Sequence, residues 1–151
     1  MNTLHFSIQI NAPREKVWDT MLNQNTYRQW TAPFNPSGSY YEGSWNQGAE
    51  IRFLGPSEDG SAPGGMFSRI HENRKPEFVS IEHLGIIENG VVDTTSEKVK
   101  AWTPAFENYT FTEHEGGTLV TVDLDMNEEY QAMFEEMWPQ SLQILKQLAE
   151  K

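Results

Sequence analysis

The chain has 151 residues, with 22 acidic against 11 basic side chains, a formal net charge of −11 at pH 7, and no cysteine. That length suits one domain around one closed core, and the negative field disfavours nucleic acid and anionic membrane surfaces as partners. Without cysteine there is no disulfide framework, no thiolate nucleophile and no cysteine-built zinc or iron–sulfur site.

Met1 to Ile10 alternates polar and apolar residues and lacks the basic and continuous apolar segments of a secretory signal. No apolar run approaches the ~20 residues that span a bilayer, and the mean hydropathy is −0.63. A soluble, cytoplasmic protein without membrane insertion is expected. Five Trp, eight Phe and five Tyr are many for so polar a chain, and such large rings must line something.

In chain order, Leu4, Phe6, Ile8 and Ile10 alternate with polar residues, the period of a strand buried on one face. Asn11-Ala12-Pro13 offers a capping side chain and a proline for a first helical turn. The pairs Val17/Met21 and Trp18/Leu22 then give that helix an apolar stripe. Asn23 and Asn25 end it, and a second short helix is expected over Thr26 to Trp30. Tyr40 to Trp45 and Ala49 to Leu54 read as a hairpin about Asn46-Gln47-Gly48. Gly55 to Gly65 reads as a surface loop. Met66 to Glu72 and Phe78 to Ile87 pair around Asn73 to Pro76, and Glu88 to Thr103 is polar, with a helical turn between Ser96 and Trp102. Phe106 to Glu113 and Thr118 to Met126 are strands joined by His114 to Gly117. Tyr130, Met133, Phe134, Met137, Trp138, Leu142, Leu145, Leu148 and Ala149 recur at helical steps, predicting a long amphipathic C-terminal helix with a bend at Pro139.

The order of elements predicts an α+β protein in which a curved antiparallel sheet of about six to seven strands wraps around the last helix and leaves a cavity beside it. Five segments carry a resemblance in this order: Ile10-Asn-Ala-Pro-Arg-Glu-Lys-Val-Trp18, Tyr27-Arg-Gln-Trp30, Gly48-Ala-Glu-Ile-Arg-Phe53, Gly116-Gly-Thr-Leu-Val-Thr-Val122 and Trp138-Pro-Gln-Ser-Leu-Gln-Ile-Leu-Lys146. Through them the chain resembles the START and Bet v 1-like helix-grip superfamily, in particular the bacterial branch related to the activator of Hsp90 ATPase. The resemblance implies a hydrophobic cavity between sheet and last helix, which different members use for lipids, sterols, polyketides, plant hormones or aromatic substrates. It covers the domain type without the additional N-terminal domain of the eukaryotic activators, so their ATPase stimulation is not implied.

Trp30, Tyr40, Phe53, Met66, Trp102, Tyr109, Phe111, Phe134, Met137 and Trp138 are the positions expected around such a cavity. His5 and His114 fall on solvated positions. Val79 and Ile81 share a phase with His83, while Phe78 and Leu84 share one with Glu82, so either His83 or Glu82 points inward as a polar ligand contact or weak catalytic candidate. A metal shared by His71 and His83 is excluded, because a hairpin would set them roughly 14 to 17 Å apart. No nucleophile elbow or glycine-rich phosphate loop occurs, and neither a metal nor a cofactor is expected. Glu42, Glu50, Arg52 and Arg69 fit the solvated face of strands. Three functions follow: binding of a small hydrophobic molecule, a polyketide cyclase or aromatase activity using an inward His or Glu, and a partnership with an Hsp90-like chaperone.

Overall fold

The computed structural model describes residues 2–56 and 62–151. The chain runs β1 (Asn2–Ile10), α1 (Arg14–Leu22), α2 (Gln24–Trp30), β2 (Tyr40–Gly43), β3 (Glu50–Gly55), β4 (Gly64–Arg74), β5 (Phe78–Glu88), β6 (Val91–Asp93), α3 (Glu97–Lys100), β7 (Ala105–His114), β8 (Gly117–Met126) and α4 (Glu128–Ala149). Seven strands form a curved antiparallel sheet in the order β1-β8-β7-β5-β4-β3-β2, and β6 pairs with β5 as an eighth.

The eighth strand was not expected. Asn89 and Gly90 both take positive φ, 51° and 76°, so a tight turn folds Val91–Asp93 back on Ile86–Glu88. An Asn-Gly pair between apolar residues is the sequence signal for such a turn. Glu115 and Gly116 make the same kind of turn between β7 and β8, with φ 50° and 79°.

One face of the sheet is apolar because the strands alternate. On β8, Val120, Val122 and Leu124 are buried, while Asp123 and Asp125 face out to meet His5 at 2.6 Å and Thr3 at 2.9 Å on β1. His5 and His114 are both exposed. The apolar face packs under α1, α2 and α4, with Ile10, Met21, Ile51, Ile70, Val79, Phe111, Leu142 and Leu145 at its centre. α4 is the long helix expected; it has 22 residues and continues past Pro139. Lys146 anchors its end by donating to the Gln9 carbonyl at 3.1 Å. The Asn11 amide donates to Glu150 at 2.9 Å, and this bond with the Lys146 contact holds the exposed Glu150 carboxyl below the usual range.

Two local expectations change. Pro13 itself is the N-cap of α1, with no side-chain cap, since proline has no polar side chain and Asn11 stands two residues before the cap position. The hairpin strand β2 ends at Gly43 rather than Trp45, where Gly43 takes φ 122°.

Gly117 opens β8 where β1 ends. A Cβ there would lie 2.3 Å from the Ile10 carbonyl oxygen, and that oxygen belongs to a strand held in register along its whole length. Gly117→Ala is therefore expected to lower unfolding stability by about 1–3 kcal/mol, the usual cost of overpacking. An unchanged midpoint in urea would show instead that the end of β1 yields freely.

Candidate functional site

Between the sheet and the first half of α4 lies a cavity of about 580 Å³. α2 and the turn after it supply Tyr27, Trp30 and Phe34; α4 supplies Phe134 and Trp138; the sheet supplies Phe53, Met66, Ile86, Tyr109 and Leu124. The rings make one connected wall. Trp138 lies tilted against Trp30 at 5.7 Å and edge-on to Phe34 at 5.3 Å and Tyr109 at 6.2 Å, and Phe34 reaches Phe134 at 5.6 Å. Glu88, Lys98, Asn127, Tyr130 and Met133 also line it and are exposed, which places the mouth between α3 and the start of α4. Glu88 and Lys98 pair there at 3.1 Å.

Local structure explains why these rings turn inward. Asn23 ends α1 and starts α2, its side chain accepting from the Asn25 amide at 3.0 Å. The reversal sets Trp30 beneath α1, where its indole N–H donates to the Met21 carbonyl at 3.0 Å. The Tyr41 hydroxyl donates to Leu22 at 2.6 Å. Two carbonyls left open at the end of α1 are thus closed by side chains of the cavity wall and its neighbour.

One polar chain crosses the apolar wall. Ser68 on β4 and His83 on β5 are cross-strand partners, and Ser68 Oγ lies 2.7 Å from His83 Nδ1. His83 Nε2 lies 3.0 Å from Glu107 Oε1 on β7, and the Tyr109 hydroxyl donates to the other Glu107 oxygen. A carboxylate accepting from both sides assigns the His83 proton to Nε2 and leaves Nδ1 to accept from Ser68. Burial, then the Glu107 charge, then Tyr27, then the Glu107 hydrogen bond hold the Tyr109 phenol well above its ordinary pKa. Burial, then Glu107, then Tyr41 raise Tyr27 as well.

The open choice on β5 is settled by this chain. His83 faces the cavity and Glu82 the other side of the sheet, where Arg69 holds it at 2.8 Å. His71 also faces away from the cavity, edge-on to Phe106 at 5.4 Å, and among the described residues no group of three acidic or histidine side chains is placed to hold a metal ion.

Trp30, Phe53, Met66, His83, Trp102, Tyr109, Phe134 and Trp138 line the cavity as expected positions. Tyr40, Met137 and Phe111 do not. Tyr40 sits beside Tyr41 on edge strand β2, and since neighbours on a strand face opposite ways, the inward contact with Tyr27 belongs to Tyr41. Met137 precedes Trp138 and is turned about 100° around the helix. Phe111 is buried deeper, against Trp18 at 5.2 Å. Of the segments read as Gly55 to Gly65 and Glu88 to Thr103, Gly65, Glu88, Lys98 and Trp102 reach the cavity, while residues 57–61 lie outside the described residues. Glu107, Tyr27 and Phe34 were not expected. Glu107 stands two residues before Tyr109 on a strand, which puts it on the same face, and Tyr27 stands one helical turn before Trp30.

An antiparallel sheet curled against a long C-terminal helix, with a cavity between them, defines a helix-grip protein. Residues 11–150 match the family described as activator of Hsp90 ATPase homologue 1-like proteins, and the chain belongs to that family. Among solved structures it resembles ChR145 from Cytophaga hutchinsonii, at 18% identity and a TM-score of 0.72, covering 99% of this chain and 94% of that one. The Aha1 dimer from Colwellia psychrerythraea is 16% identical with a TM-score of 0.68, covering 99% and 97%. DynU16, a putative protein in the dynemicin biosynthetic locus, is 13% identical with a TM-score of 0.71, covering all of this chain and 48% of that one. At these identities the likeness is one of fold. No curated protein sequence matches significantly, and among the described residues no helix is long and apolar enough to cross a membrane.

Proposed function

We propose that this protein binds a small, mainly apolar molecule with aromatic character in the cavity between its sheet and α4. The observation that carries this reading is the cavity itself: about 580 Å³, inside the 300–1,000 Å³ range of ligand sites, walled by rings and crossed by a single polar chain. A space that size left unfilled sacrifices packing contacts along its whole lining, a cost that a ligand would recover. Titration with the neutral probe N-phenyl-1-naphthylamine is expected to give a saturable rise in probe fluorescence and a matching quench of tryptophan emission. Native mass spectrometry of the freshly purified protein is expected to show a co-purifying small molecule. If neither that probe, nor a sterol, nor a polycyclic aromatic gives a saturable signal, the reading fails.

A second reading, acid–base chemistry of the polyketide cyclase or aromatase kind, is supported by the polar chain. Its proton donors His83 and Tyr109 and their acceptor Glu107 border the space where a substrate would lie, and an enclosed site orients a flexible chain for reaction. The likeness to DynU16 accords with it. Glu82, paired with Arg69 on the other face, has no part in it. Partnership with an Hsp90-like chaperone rests on family membership and on no particular residue of this surface.

A further inference from the structure

The hydrogen-bonding inventory of the polar chain narrows the ligand. Ser68, His83 Nε2 and Tyr109 each spend their proton within the chain, so what Glu107 and Tyr109 still offer to the cavity is lone pairs alone. A molecule seated against them must bring a donor. A carboxylate brings none and meets the Glu107 charge in a wall of low polarity, where like charges repel strongly. The net charge of −11 opposes an anion further, and Lys98, the lysine that lines the mouth among the described residues, is already paired with Glu88.

The opposite capability stands beside this chain. Tyr27 lines the same cavity and packs against Phe53 at 6.2 Å, the ring that meets His83 of the chain, and its hydroxyl has no hydrogen-bond partner among the described residues. The phenol is a donor lining the same cavity as that acceptor. A ligand hydroxyl answers both, donating to Glu107 and accepting from Tyr27, whereas an ether or ketone satisfies only Tyr27.

Resting on the ligand-binding reading above, we infer that the cavity selects a neutral phenol-type hydroxyl compound over carboxylates, with Glu107 accepting the ligand hydroxyl and Tyr27 donating to its oxygen. Phe53, edge-on to His83 at 6.1 Å, and Trp138, which contacts Tyr109, flank that point and hold the ligand's ring.

Calorimetric titration of the full chain with 2-naphthol, 2-methoxynaphthalene and 2-naphthoate tests this on one ring system. 2-Naphthol is expected to bind at least about tenfold more tightly than either of the others, the scale of a hydrogen bond to a charged group. Glu107→Gln is expected to narrow the gap to 2-naphthoate, because it removes the charge and adds a donor. Should that variant not fold, Tyr27→Phe gives an independent reading: it is expected to weaken 2-naphthol and 2-methoxynaphthalene alike, both having lost the donor to their oxygen. If 2-naphthoate or 2-methoxynaphthalene binds as tightly as 2-naphthol, the hydroxyl selection is overturned while the cavity still binds ligands. If none of the three binds, the hydroxyl selection is overturned, and the probe and sterol titrations above decide whether the ligand-binding reading falls with it.

Discussion

Trp30→Ala is expected to cost about 3–5 kcal/mol of unfolding stability, the range for truncating a buried aromatic. Trp30 is 1% exposed and packs edge-on to Tyr27 at 5.4 Å and tilted against Trp138 at 5.7 Å. Its removal takes away the ring that joins α2 to α4. It also leaves the Met21 carbonyl, at the open end of α1, without the indole N–H that closes it. The void would merge with the existing cavity, so water could reach that carbonyl and offset part of the loss. Trp30→Phe separates the two effects, because it keeps most of the packing and removes only the donor. Urea unfolding of both variants should place Phe between Ala and the parent. Equal midpoints for Phe and Ala would show that the hydrogen bond to Met21, rather than ring packing, carries the effect.

Alkaline conditions are expected to unfold this protein through Tyr109. Its phenol is 2% exposed and held well above its ordinary pKa by burial and by the neighbouring Glu107 charge. Below the unfolded-state value near 10, both states keep the proton and the contribution to stability is present in full. Above it the unfolded chain loses the proton while the folded Tyr109 retains it. The native state then binds more protons than the unfolded one, and stability falls by about 1.4 kcal/mol per pH unit for each such group until the folded pKa is reached. Tyr27 shifts in the same direction. Its side chain is only half-buried, though, so water screens it and its contribution is smaller. Unfolding measured from about pH 9 to about pH 11 should steepen past the midpoint of that interval. Lysines titrate in the same range, and the comparison with Tyr109→Phe isolates the phenol: the variant should show a shallower decline, and an identical one would exclude Tyr109 as the cause.

The two expectations share a cause, which is that the same wall serves packing and the cavity. Trp30 closes α1 with one edge and lines the cavity with its face. Tyr109 contacts Trp138 and fixes Glu107 in place. A residue here cannot be changed for one role without disturbing the other, so each test above pairs a severe variant with a conservative one.

Periodicity by itself determined the architecture. Alternation on β1 and β8 and the three- and four-residue steps of α4 read directly as a half-buried sheet and the helix that covers it, because burial on one face forces those periods. The aromatic surplus of a polar chain also announced a lined space. What the tertiary structure decided was which phase of an ambiguous strand turned inward. On β5 both phases hold apolar residues, and the register shift at Phe67/Ser68 changes the facing partway along the strand, so only the side on which α4 packs could choose His83 over Glu82. Tyr40 and Tyr41 posed the same problem on β2, and the open end of α1 resolved it by drawing the Tyr41 hydroxyl to Leu22. The β6 turn was legible in Asn89-Gly90, and Glu107 in its two-residue spacing from Tyr109. Their meeting with His83 and Tyr27 was not, because those residues lie on separate elements and only the curl of the sheet against α4 brings them to one place.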